Sequence, residues 1–296
     1  MKKTIFAAIT LVTSLLAAGA AQAGTEDSGS RGRGHYEQVN GLNMYYEVHG
    51  RGKPGQRPLV LLHGAFSATG TSFGELLPAL AKHRKIISIE QQAHGHTADI
   101  DRPLRIEQMA EDTTALLRKI GVGKADFFGY SMGAGIGLQI GVSRPEIVGK
   151  LVLASVTSKP GGLHPGLLEG LDQLKPEDLH GSPFHEEYLR TAPRPEDFPR
   201  LVEQVKDMNR HMPTIADERI RAMKKPTLLL TGDSDIVRPE HSVELFRLLG
   251  GGVVGDNVGL PDSQLAILPG TTHVTLVHQA AMLTPIIPAF LDRPVA

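Results

Sequence analysis

Short apolar runs recur along the chain and alternate with stretches whose apolar residues repeat at helical spacing. Leu59-Val60-Leu61-Leu62 and Leu151-Val152-Leu153-Ala154 are apolar throughout, and Lys85 to Glu90, Ala125 to Phe128, Thr227 to Thr231 and Gln264 to Leu268 are apolar at their centres. Runs this short, without a polar face, predict strands buried on both sides, as in a parallel sheet covered by helices. Between them, Phe73, Leu76, Leu77 and Leu80 predict a helix over 71–83. Ile106, Met109, Ala110, Thr113, Leu116 and Leu117 predict another over 106–120, ended by Gly121. Helices are also expected over 133–142, closed by Arg144-Pro145, over 239–249, and over 277–291 with a bend at Pro285 and Pro288. Ahead of all these, Tyr36–Val39 and Leu42–Val48 flank Asn40-Gly41, the strongest two-residue hairpin signal, because both positions tolerate positive φ.

The rhythm breaks between Ser158 and Met223. That stretch is polar and rich in Pro, His and charge, with helical patches near 167–174, 184–190 and 198–212. It separates two strand-like runs, so it reads as an inserted helical cap at 158–223, dividing a core of 35–157 and 224–296. Alternating strands and helices imply an α/β fold: a mostly parallel central sheet with helices on both faces. Right-handed crossovers bring the strand C-termini to one edge, where ligands bind in such sheets. His63, Ser131, Ser155 and Asp235 each directly follow a strand.

Composition narrows the field. Among 296 residues the net charge is −1 and no basic block occurs, which argues against a nucleic-acid partner. Cysteine is absent, so disulfides, thiolate catalysis and cysteine-based metal sites or lipid anchors are excluded. Lys2 and Lys3, the apolar run Ile5–Ala18 and the A-x-A sequence Ala21-Gln22-Ala23 form a signal peptide expected over 1–23. A disordered lead-in rich in Gly, Ser and charge is expected over 24–34. Export to the periplasm or medium follows, with no membrane span left after cleavage.

The chemistry concentrates at Gly129-Tyr130-Ser131-Met132-Gly133, a G-x-S-x-G between a strand and a helix. A serine at such a tight turn has a strained backbone, and glycines two residues either side permit close backbone approach, so the hydroxyl stands clear of the sheet edge. A serine hydroxyl is a weak nucleophile and needs a histidine base and a group to orient it. Two later stretches offer them: Thr231-Gly232-Asp233-Ser234-Asp235 and Pro269-Gly270-Thr271-Thr272-His273.

With the His63-Gly64 loop added, these motifs resemble, in order and spacing, those of the serine α/β-hydrolases, from about Tyr36 to Leu291. The resemblance implies Ser131 as nucleophile, Asp235 as acid and His273 as base. It further implies an oxyanion hole from the backbone N–H of Met132 and that of Ala65 or Phe66. No metal or cofactor is expected. Each of these residues has a rival nearby. Asp233 reads as a turn-capping residue, His278 falls inside a helix, His63 reads as a loop-fixing residue, and Ser155 ends its strand without an elbow and reads as structural or cap-contacting. His94-Gly95-His96-Thr97-Ala98-Asp99 departs from a metallo-hydrolase pattern and reads as a loop, where the family often has R-G-H-G. Gly133, Gly135 and Gly137 lack dinucleotide spacing and read as packing glycines.

Serine rather than aspartate at the elbow disfavours epoxide and haloalkane chemistry, leaving acyl transfer from a small-molecule ester to water. Met208, His211 and Met212 of the cap, with Phe66 and Met132, are expected to line an apolar substrate site. Three alternatives stay open: a carbon–carbon bond hydrolase, which needs a carboxylate-binding arginine such as Arg190, Arg210 or Arg238; a perhydrolase or haloperoxidase; and a binding protein without turnover. Oligomeric state is not legible.

Overall fold

The structure, a computed structural model, describes residues 33–294. The signal peptide and nearly all of the lead-in lie outside the described residues. Strand β1 (Arg33–Val39) takes in the last two residues of the expected lead-in and pairs antiparallel with β2 (Leu42–His49). Asn40 and Gly41 close the hairpin at φ 47° and 87°, the two positive values a tight turn of this kind requires.

Six further strands, β3 (Leu59–Leu62), β4 (Ile86–Ile89), β5 (Ala125–Tyr130), β6 (Val148–Ala154), β7 (Thr227–Ser234) and β8 (Gln264–Thr272), complete one eight-stranded sheet. Its order is β1-β2-β4-β3-β5-β6-β7-β8, and every pair from β4 to β8 is parallel. The fold is therefore the expected α/β arrangement, and successive side chains of each central strand serve opposite layers. Val60, Leu62, Phe127, Leu151 and Leu153 enter one apolar cluster, with helices α3 (Ile106–Lys119) and α4 (Met132–Ser143). Leu59, Leu61, Phe128, Val152 and Ala154 enter the other. That second layer includes α1 (Thr69–Phe73), α2 (Leu77–Ala81) and the last helix, α11 (Ala280–Asp292).

Local chemistry explains where the elements depart from the hydrophobic pattern. The helix expected over 71–83 is two short ones, α1 and α2. Pro78 lacks the N–H that would bond back to Gly74, so the ladder stops and restarts. α11 continues through Pro285 and Pro288, held by its buried stripe Leu283, Ile287, Phe290 and Leu291. Its C-terminal carbonyls are collected by the buried ammonium of Lys150, which donates to Phe290 O at 2.8 Å, Leu291 O at 3.0 Å and Arg293 O. A cation is favoured at that end of a helix.

β7 and β8 run past the apolar pattern, to Ser234 and Thr272. Here a side chain supplies what the pattern does not show: the Asp233 carboxylate accepts the N–H groups of Gly270 (2.9 Å) and Thr271 (3.1 Å), tying the end of β8 to that of β7.

Residues 158–223 hold helices α5 (Leu167–Leu171), α6 (Pro183–Thr191), α7 (Phe198–Arg210) and α8 (Asp217–Met223). α8 has no clear signature in sequence, since only Ile220 and Met223 of its seven residues are buried. The segment is fastened over the loops that follow β3 and β4. Glu187 accepts the N–H groups of Ala68 (3.1 Å) and Thr71 (2.9 Å), Arg200 reaches Asp99 at 2.6 Å, and Asp207 takes Arg105 at 2.7 Å. Two helices, α9 (Pro239–Leu248) and the one-turn α10 (Gly255–Val258), occupy the chain between β7 and β8. No helix among the described residues is long and apolar enough to cross a membrane.

Candidate active site

Ser131 links β5 to α4 with φ 54° and ψ −116°, a conformation an L-residue adopts only when its surroundings impose it. Those surroundings are two contacts a side chain would block. A Cβ on Gly129 would fall on the carbonyl of Gly133, and one on Gly133 would fall on that of Leu62. The helix can then start directly against β3 and β5, and the serine is pushed out over the sheet edge.

The loops after β7 and β8 supply its partners. His273 Nε2 lies 3.0 Å from Ser131 Oγ, and His273 Nδ1 lies 3.0 Å from Asp235 Oδ1. Nδ1, facing a carboxylate, carries the hydrogen, which leaves the Nε2 lone pair toward Ser131. Three fixtures hold the pair. The Tyr130 hydroxyl donates to the His273 carbonyl at 2.9 Å; Asp235 accepts the backbone N–H of Val237 and that of Gly232, both at 3.3 Å; and the Asp235 side chain is wholly buried. Burial by itself would raise the Asp235 carboxyl, but the His273 hydrogen bond and charge, then the Ser155 hydroxyl and the Val237 N–H, hold it below the ordinary carboxylate value. The His273 side chain remains 18% exposed, so the site is open to a ligand.

On the other side of Ser131, Phe66 turns the loop after β3 at φ 63°. The backbone N–H groups of Ala65, Phe66 and Met132 find no acceptor among the described residues. Met132 is the first residue of α4, where such groups are unpaired and the helix dipole favours negative charge.

The competing residues are engaged elsewhere. Asp233 is the exposed residue that ties β8 to β7, as described above, and does not meet His273. His278 pairs with Glu75 at 3.0 Å. His63 is buried, holds the Gly64 carbonyl through Nδ1 (2.8 Å) and accepts the Gln91 N–H at Nε2 (3.0 Å). Burial and the neighbouring His94 push its pKa down to about 3, so it stays neutral. His94 Nδ1 donates to the Gln92 carbonyl at 2.8 Å, whereas His96 Nδ1 faces Glu90 at 2.9 Å, with its ring stacked on Tyr45.

His211 is exposed at the C-terminal end of α7 and turns its Nδ1 to the carbonyl of Asp207 (2.8 Å), one turn back. Met208 is packed in the apolar layer that also holds Val205 and Ile215, filling the helix interface, while Met212 is half-buried. Ser155 is neither a plain strand end nor a cap contact. Its Oγ lies 2.7 Å from Asp235 Oδ1 and 2.7 Å from His273 Nδ1. Nothing local in the sequence marks it, since its partners are 80 and 118 residues away.

Comparison with known proteins agrees with this architecture. The model of the alpha/beta hydrolase family matches residues 59–283. A putative carbamate hydrolase, RutD, of Rhizobium rhizogenes is 32% identical over 117 residues, a match that spans 39% of this chain and only 44% of that relative. An uncharacterized hydrolase, YugF, of Bacillus subtilis is 25% identical over 86% of this chain and 96% of its own length. Among solved structures, a membrane phospholipase A described as a bacterial virulence factor superposes with a TM-score of 0.71. It is 22% identical and is covered over 98% of this chain and 91% of its own. At that identity the likeness speaks for the fold.

Proposed function

The chain belongs to the alpha/beta hydrolase family and is a hydrolase, and we propose that it cleaves carboxylic esters through an acyl-enzyme on Ser131, with His273 as base and Asp235 as the orienting acid. The observation that carries this is the continuous relay from Ser131 Oγ through the His273 ring to Asp235, two contacts of 3.0 Å each. His273 Nε2 takes the serine proton as Oγ attacks the ester carbonyl. The oxyanion forms where the N–H groups of Met132 and of Ala65 or Phe66 are unpaired, and one such donor is worth about 3–4 kcal/mol of transition-state stabilisation. Collapse of the tetrahedral intermediate breaks the C–O bond, and the leaving alkoxide takes the proton from Nε2. Water then repeats the sequence on the acyl-enzyme, releasing the acid and restoring Ser131. On this reading residues 158–223 act as a cap over the site, and the N-terminal segment 1–23 directs export.

One rival has less support. A carbon–carbon bond hydrolase would need a cation for a substrate carboxylate. Arg210 is 2.8 Å from Asp172, Arg238 donates to the Gly161 carbonyl at 2.8 Å, and Arg190 is 3.5 Å from Glu187. A perhydrolase would use the same residues as the esterase and is separated from it by assay with peroxide.

The test is turnover of p-nitrophenyl esters from acetate to octanoate by wild type and Ser131→Ala. The expected result is hydrolysis by the wild type and background rates with the variant, the chain-length profile measuring the acyl site. Hydrolysis retained by Ser131→Ala sinks the mechanism. A wild type that neither turns over nor takes up a fluorophosphonate at Ser131 is instead a binding protein.

A further inference from the structure

Ser155 sits at the C-terminal end of β6, beside the elbow strand, and shares the elbow's backbone anomaly: its φ is 56° against 54° for Ser131. Glycine is the residue that accepts this conformation without strain, so a serine held there, 4% exposed, implies a use for its hydroxyl. The backbone explains how it is held. Ser131 N–H donates to the Ala154 carbonyl at 2.9 Å, and Ser155 N–H donates to the Leu230 carbonyl at 2.7 Å, so consecutive strand ends are stitched together just where the chain turns.

The turn delivers Oγ into the acid–base pair. It is 2.7 Å from Asp235 Oδ1 and 2.7 Å from His273 Nδ1, while those two atoms are 3.0 Å from each other. Asp235 is an acceptor only, so the serine O–H donates to it. The lone pairs left on Oγ can then accept the Nδ1–H. The hydrogen of Nδ1 thus has two acceptors, and the longer of its two contacts is the one to the acid.

From this triangle we propose that Ser155 is a positioning residue of the reaction, a hydroxyl that holds the His273 ring and the Asp235 carboxylate in one plane and shares the Nδ1 hydrogen as the imidazolium forms. The proposal rests on the serine-hydrolase reading above. It places no bond-making on Ser155, whose Oγ contacts are to Asp235 and His273. Its effect belongs to the step in which Nε2 gains and loses a proton, so it acts on kcat and leaves substrate affinity alone.

Two variants separate the hydroxyl from the backbone. Ser155→Ala removes Oγ and keeps the strain; Ser155→Gly removes Oγ and relieves it. Steady-state kinetics on the best p-nitrophenyl ester, thermal unfolding, and the downfield proton NMR signal of His273 Nδ1–H are measured for both variants and the wild type. The expected result is a fall in kcat of roughly 10- to 100-fold in both, at unchanged KM, smaller than the roughly 10²–10⁴-fold contribution of an acid–base group itself. The Nδ1–H signal should be displaced in both, with Ser155→Gly at least as heat-stable as wild type. Wild-type kcat and an unmoved signal in Ser155→Gly overturn the proposal, as does activity lost only in a variant that is also unfolded. If the wild type itself shows no turnover and no fluorophosphonate labelling, the serine-hydrolase reading has failed instead, and the proposal falls with it.

Discussion

Asp233 and Asp235 are two residues apart, yet the fold gives them different work. One is exposed and takes two backbone N–H groups of the loop that carries His273; the other is buried against the His273 ring. Asp235→Asn is therefore expected to lower kcat by about 10⁴-fold by favouring the wrong imidazole tautomer. Asp233→Asn keeps one acceptor oxygen and should cost far less, through looser placement of the loop. A larger loss from Asp233→Asn in the same assay would reverse the assignment. At this scale the sequence was legible wherever the signal was local. G-x-S-x-G places Ser131 through the steric needs of one turn, and the loops after two strands offer Asp233, Asp235 and His273, among which the family resemblance points to Asp235 and His273. Ser155 was illegible because its contacts are with residues far along the chain.

Elements were legible where burial alone decides them. The central strands and α3 need only apolar periodicity. Where a single side chain intervenes, the pattern misleads: Pro78 splits one helix into two, and Asp233 extends two strands beyond their apolar cores. The elbow is the most demanding element, because α4 starts against the carbonyl of Leu62. Gly133→Ala puts a methyl group onto that backbone, which cannot yield without moving β3. A loss of about 1–3 kcal/mol or more is expected, as for other overpacked sites. Urea unfolding of the variant measures it, and activity should fall further than stability does, since Ser131 moves with the helix. A variant as stable as the wild type would mean that α4 can slide away from the strand.

Across the whole molecule, the α/β architecture was legible because strands and helices alternate, and the placement of residues 158–223 against the loops after β3 and β4 was not. That placement depends on Glu187, Arg200 and Asp207 meeting loops about 100 residues distant or more. The buried histidines give the molecule a pH signature. An unfolded histidine takes up a proton near 6.5, whereas burial, chiefly, holds His63 down to about 3 and His94 down to about 4. Between those values the unfolded chain binds more protons, so stability is complete above about pH 6.5 and is lost as the pH falls toward 3. The shift at His63 corresponds to several kcal/mol. Urea midpoints followed from pH 7 to pH 4 should decline steadily, and a flat profile would mean that these rings are protonated in the native state.

The relay itself has a consequence in time. Ser131 and His273 are 142 residues apart in the chain, and they meet only after β5, β6, β7 and β8 have all taken their places side by side. Contacts of such long range form slowly, because the connecting chain must first give up its freedom. Helical signal should therefore return early when the denatured protein is diluted into buffer, and ester hydrolysis should return last, with a measurable lag. The active site thus serves as a built-in clock for the closing stage of folding.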